Sequence, residues 1–198
     1  ADNIFIDTVF SVYMARSEGC NIERNIIYGD ESNEVRAGNG IHLWYSKGII
    51  IKDNFVSGKR DGLYLEFAEN TIAENNVFTG NVRYGMHFMF SHESVFRNNI
   101  YKANQTGVAV MYSKKISMQN NHFEKSLGGS SYGLLLKDIS DSLVEGNDLT
   151  ATLNDNYVIR YMYNSIALID KQNGTLNSTI YILHNSIHEL SSNPLILD

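Results

Sequence analysis

The sequence predicts an all-β fold, a parallel β-helix with three short strands per coil and about 22 residues per coil. Two observations carry that expectation. Five times a glycine opens a hydrophobic strand and an asparagine follows 14 positions later: Gly40/Asn54, Gly62/Asn76, Gly85/Asn99, Gly107/Asn121 and Gly133/Asn147, with Ser11/Asn25 an imperfect sixth. Successive glycines stand 22, 23, 22 and 26 residues apart, a period at which each repeat is one coil that buries its apolar face only by stacking on its neighbours. The second observation is the pattern inside a coil. It alternates with period two, as strands do, and not with the 3.6-residue period of an α-solenoid.

Taken in chain order, the elements repeat. Asn3-Ile-Phe-Ile reads as mid-coil strand at the N-terminus. The strand after each glycine then sets one face inward: Ile41, Leu43 and Tyr45; Leu63, Leu65 and Phe67; Met86, Phe88 and Phe90; Val108, Val110 and Tyr112. A second short strand carries Ile49 and Ile51, matched three coils later by Ile116 and Met118. The asparagine of each coil precedes a third apolar position, held by Val56, Phe78, Tyr101 and Phe123. Asparagine suits these corners because it tolerates turn conformations and its amide both donates and accepts. All length variation falls between an asparagine and the next glycine, so the insertions Asp30 to Gly38 and Ser126 to Ser131 are expected at one corner. Regular coils span about residues 11–150 of a single domain covering 1–198, and residues 151–198 are expected to form irregular or capping coils.

Composition narrows the function classes. The 198 residues carry a net charge of −6, which argues against a nucleic-acid groove and its basic stripe. No run of 18 apolar residues occurs, so no helical membrane span is expected, and no basic-then-apolar leader opens the sequence. The lone Cys20 leaves no intrachain disulfide and no multi-cysteine zinc or iron–sulfur site.

Chemistry is expected on the outward face of the first strand. Two positions after the glycine stand Tyr13, His42, Tyr64, His87, Ala109 and Leu135; four positions after it stand Ala15, Trp44, Glu66, Met89, Met111 and Lys137. Coils lie about 4.8 Å apart and alternate strand residues roughly 6.6 Å apart, so His87, Met89 and Met111 are placed to converge on one ion. Thioether sulfur selects copper(I), and imidazole suits copper in either oxidation state. His42 and Glu66 are near enough to support or relay such an ion, and His92 sits at the following turn. Arg60 and Arg83 occupy equivalent corner positions with Asp61 beside them, as a structural ion pair or a docking surface.

The runs Gly38-Asn-Gly-Ile-His-Leu-Trp-Tyr-Ser46, Arg60-Asp-Gly-Leu-Tyr-Leu-Glu-Phe67 and Arg83-Tyr-Gly-Met-His-Phe-Met-Phe-Ser-His92 resemble the NosD family, and Gly107 to Lys114 and Tyr132 to Asp141 continue the likeness in order. It covers Ser11 to about Asn147. The resemblance implies a right-handed, periplasmic β-helix that docks on a membrane ABC transporter. It also implies that copper passes from a copper-chaperone lipoprotein to nitrous oxide reductase while that enzyme's copper sites are assembled. The bound ion is then a transient copper ion, Cu(I) in the reading above. The positions carried over are His42, Trp44, Arg60, Asp61, Glu66, Arg83, His87, Met89, His92 and Met111, with Trp44, Arg60, Asp61, Arg83 and His92 assigned to partner binding. No enzymatic activity and no membrane insertion are expected.

A different class remains open, because parallel β-helices commonly bind or modify polysaccharides. Tyr64, His87, Glu66 and Arg83 would supply an acid, a base and a cation for a uronate, although Glu66 has no second carboxylate at its own level.

Overall fold

A computed structural model describes residues 1–30, 37–126, 132–150, 166–169, 180–188 and 195–197. The insertions at 31–36 and 127–131 and the segment Tyr157 to Tyr163 lie outside them. The described chain forms three parallel sheets of eight, eight and seven strands, wound as a right-handed β-solenoid. One sheet runs from Ile4–Ile6 through Phe55–Ser57 to Ser186–His188, and another from Asn21–Glu23 through Val95–Arg97 to Ile180–Leu183. The third is called the site sheet here. It stacks Val12–Ala15, Ile41–Trp44, Asp61–Glu66, Tyr84–Met89, Thr106–Met111, Leu134–Lys137, Ile166–Ile169 and Leu195–Leu197.

Parallel pairing in register places like on like. Leu43, Leu65, Phe88, Val110 and Leu136 are direct partners down the site sheet and are fully buried. Ile51, Ala73, Phe96, Met118 and Val144 do the same on the second sheet, and Val56, Phe78, Tyr101, Phe123 and Leu149 on the other. Each large apolar side chain so covered contributes about 1.5–3 kcal/mol.

The two repeat residues have separate jobs. A Cβ on Gly62 or Gly85 would stand 2.6 or 2.7 Å from the carbonyl oxygen of the next coil's glycine, so close backbone approach demands glycine there. The asparagines form a ladder from Asn3 through Asn25, Asn54, Asn76, Asn99, Asn121 and Asn147 to Asn185. In the interior of the ladder each Oδ1 accepts from the backbone N–H and side-chain amide of the previous rung, and each Nδ2 also reaches a backbone carbonyl, as Asn99 does to Ala73 O at 2.9 Å. Buried corners are thereby satisfied without water. A second, shorter ladder joins Asn81 to Asn104.

One expectation changes. Tyr45, Phe67, Phe90 and Tyr112 do not point inward. The strand ends one residue earlier and each of these residues turns into the left-handed region, which breaks the alternation and puts the ring outside. Beyond residue 150 the described strands remain in register with the coil before them, and Asn185 is the next rung of the ladder.

Candidate functional site

The outward rows of the site sheet form as spaced. His42 pairs with Tyr64 and Tyr64 with His87, while Trp44, Glu66, Met89, Met111 and Lys137 follow one another in the adjacent row. The rings of the first row pack on each other: Tyr13 edge-on to His42 at 4.9 Å, His42 to Tyr64 at 4.7 Å, and Tyr64 stacked on His87 at 4.9 Å. Tyr84 closes over His87 from the side, centroids 4.6 Å apart.

That cover changes the character of His87. The side chain keeps only 9% of its surface, and neither ring nitrogen has a hydrogen-bond partner. The carboxylate beside it is Asp61, whose Oδ2 lies 3.8 Å from Nδ1, too far for a hydrogen bond. Asp61 is 1% exposed, so it faces His87 and Arg60 and not a partner surface, a correction to its assignment as a docking residue. The sequence pattern missed this because Asp61 precedes the glycine with inward parity, whereas its carboxylate reaches the outward His87 of the next coil. Arg60 Nε is also 3.8 Å from Asp61 Oδ2, and its Nη2 donates to Asn39 Oδ1 at 3.0 Å. Asn39 Nδ2 in turn lies 3.4 Å from His42 Nδ1.

Five of the described buried side-chain atoms without a hydrogen-bond partner gather here: His42 Nε2, Arg60 Nε, Asp61 Oδ1, and both nitrogens of His87. Burial, then the Arg60 charge, pushes the His42 imidazole down to about 4 against a smaller upward pull from Asp61. His42 is therefore neutral at pH 7 and keeps a lone pair for a ligand, with Glu66 Oε2 at 3.8 Å from Nε2. Burial, aided by Glu66 and Asp61, pushes the Tyr64 phenol up to about 12.

The remaining predicted residues separate into groups. Met89 and Met111 are half-buried direct partners, with Met89 also paired to Glu66. Trp44 meets Tyr45 edge-on at 4.9 Å and carries the Arg16 guanidinium 5.5 Å from its ring centroid. Arg83 lies over Tyr84 at 4.9 Å. His92 belongs to the next turn, where Nδ1 accepts the Lys114 N–H at 3.3 Å. Among the described residues no three His, Cys, Asp or Glu side chains are grouped to hold a metal ion. A metal on this face would have to use the thioethers, which are soft donors.

A family model described as periplasmic copper-binding protein (NosD) matches residues 23–193. The chain belongs to the NosD family. On the site sheet of this NosD chain, Met89 and Met111 pair in register and His87 keeps both ring nitrogens unpartnered. A search of curated proteins finds no match. Solved structures similar to it share the fold at low identity. The Azotobacter vinelandii mannuronan C-5 epimerase AlgE6 A-module is 17% identical with a TM-score of 0.65, over 98% of this chain and 54% of that one. The AlgE4 A-module from the same organism is 14% identical at 0.59, over 98% and 56%. The periplasmic alginate epimerase AlgG is 15% identical at 0.57, over 94% and 49%. The NosD chain thus spans about half the length of these structures.

Proposed function

We propose that this chain is a non-enzymatic periplasmic accessory protein that binds copper(I) transiently and helps deliver it to nitrous oxide reductase during copper-site assembly. His87, Met89 and Met111 hold the ion, and His42 and Glu66 form a neighbouring pair through which it can be passed on. The observation that carries this reading is the in-register pairing of Met89 with Met111, two strand positions from an imidazole whose nitrogens bond to nothing else. Burying such nitrogens without a partner costs free energy, and an ion would offset it. Membership of a family described as periplasmic and copper-binding supports the cargo and the compartment. A copper-chaperone lipoprotein as donor, the reductase as acceptor and a membrane ABC transporter as docking partner complete the proposal. An anaerobic Cu(I) competition titration against a chromophoric chelator tests it. One equivalent bound is the expected result, and no binding would remove copper from this face.

A second reading is favoured by one observation. Asp61 supplies, beside His87, the carboxylate that Glu66 lacks at its own level, and Tyr64 is stacked on the same imidazole. Tyr64, His87, Asp61 and Arg83 then make an acid–base group for a uronate polymer, the substrate class named for the epimerases of similar fold. Turnover of polymannuronate by the purified chain would establish it.

A further inference from the structure

Beside the thioethers, the site sheet holds a donor pair of a different kind. Asp61 Oδ2 stands 3.8 Å from His87 Nδ1, and the two side chains keep only 1% and 9% of their surface. Two metal–ligand bonds of about 2.0–2.1 Å together span about 4 Å, so one ion between these atoms reaches both with little movement. Asp61 Oδ1 and both His87 nitrogens also have no hydrogen-bond partner. Carboxylate and imidazole are donors that zinc(II) and other divalent ions take. Alone, this buried pair would favour such ions over copper(I), because its oxygen is hard and carries negative charge.

The pair is not alone. Arg60 Nε lies at the same 3.8 Å from the same Asp61 oxygen. The guanidinium is anchored there, since Nη2 donates to Asn39 Oδ1 at 3.0 Å and the Arg60 backbone N–H donates to Gly38 O at 3.0 Å. Its side chain is 33% exposed, so solvent and salt screen the charge less than at the surface. The charge acts along the row, where it opposes protonation of His42 and favours ionisation of the Tyr64 phenol. Arginine keeps its proton in proteins, so this charge is permanent. Coulomb energy follows the product of the charges, and a fixed cation repels a divalent ion twice as strongly as a monovalent one at the same place. The thioethers of Met89 and Met111 are neutral donors, so a soft ion on their row depends on no charge that Arg60 cancels.

We infer that Arg60 is a specificity-determining residue of the site sheet, a fixed cation that excludes divalent metal ions from the Asp61–His87 pair and leaves His87 to a soft monovalent ion. Copper(I) as the ion admitted rests on the function proposed above. The exclusion of divalent ions stands on Arg60, Asp61 and His87 alone.

The test deletes the charge and keeps the chain. Arg60→Gln removes it, Arg60→Lys retains it, and Arg60→Ala repeats the removal should glutamine disturb the fold, which circular dichroism checks. Zinc(II) is the probe, because it has no redox chemistry, and calorimetric titration is run beside the anaerobic Cu(I) titration. Arg60→Gln is expected to bind zinc(II) at least about tenfold more tightly than the parent, with Arg60→Lys close to the parent and Cu(I) affinity changed less than about threefold. Adding His87→Phe, which keeps a ring on Tyr64 and removes both nitrogens, is expected to cancel the gain. Equal zinc(II) affinity in parent and Arg60→Gln overturns the filter. So does a gain that survives His87→Phe, a gain equally large in Arg60→Lys, or an equal gain for Cu(I). The two claims separate cleanly: a His87-dependent zinc(II) gain without Cu(I) binding by the parent keeps the filter and removes the copper reading, and Cu(I) binding without a zinc(II) gain does the reverse.

Discussion

Met89 and Met111 face each other as direct partners on adjacent parallel strands, with Glu66 as the partner of Met89 on the other side. Neither residue is in the buried core, so their identity is not fixed by packing. Replacing both with leucine keeps volume and apolarity while removing sulfur, and such swaps cost less than about 1.5 kcal/mol each. The expected outcome is loss of Cu(I) binding in the chelator titration with only a small shift in the denaturant midpoint. Binding that survives in the double variant would place the ion elsewhere.

Phe88 and Tyr45 test the division between inside and outside. Phe88 is fully buried and packs on Phe96 with centroids 4.1 Å apart. Truncation to alanine should cost about 3–5 kcal/mol in urea unfolding. Tyr45→Asn removes an exposed ring from a left-handed residue and should change stability by less than about 1 kcal/mol. A large loss at Tyr45 would mean that its ring is part of the core after all.

These two residues also mark how much of the fold was legible in the sequence. Period two places Phe88 inward correctly because the strand is straight from Met86 to Met89. The same count carried one residue further puts Tyr45 and Phe67 inward, and fails because alternation ends where the backbone turns left-handed. The glycine and asparagine repeats were readable because each answers one local demand, close backbone approach or a satisfied corner, in every coil. Asp61 was not readable as the neighbour of His87. Its contact crosses from one coil to the next, and a face rule within one strand does not report it. Nor does the sequence pattern reveal that Tyr84 covers His87.

His42 gives a pH dependence with a defined sign. Its imidazole is lowered to about 4 in the folded protein, mainly by burial, while an unfolded histidine titrates near 6.5. Between those values the unfolded chain binds a proton that the folded chain does not, so acid favours unfolding. This contribution to stability is present above about pH 6.5 and is lost as pH falls to about 4, amounting to at most about 3 kcal/mol. The His42→Gln variant should lose less stability than the parent across that window. Identical slopes in urea unfolding at pH 7, 5.5 and 4 would show that His42 is solvated and titrates normally.

Asp61 separates the two chemical readings of the site sheet. It is a buried carboxylate with an unpartnered Oδ1, and its Oδ2 lies 3.8 Å from both Arg60 Nε and His87 Nδ1. Asp61→Asn keeps the shape and removes the charge. As a bystander to a His87–Met89–Met111 site, it leaves copper stoichiometry unchanged, because the donor atoms are untouched. As part of an acid–base group with Tyr64 and His87, its loss removes the charge that orients and stabilises the imidazolium, and general acid–base groups contribute about 10²–10⁴-fold to rate. The paired measurement is Cu(I) titration and polymannuronate turnover on parent and variant. Copper binding kept in both, with no turnover in either, is the expected result. Turnover in the parent that collapses in the variant would assign the cluster to carbohydrate chemistry, and loss of copper stoichiometry in the variant would make Asp61 a ligand.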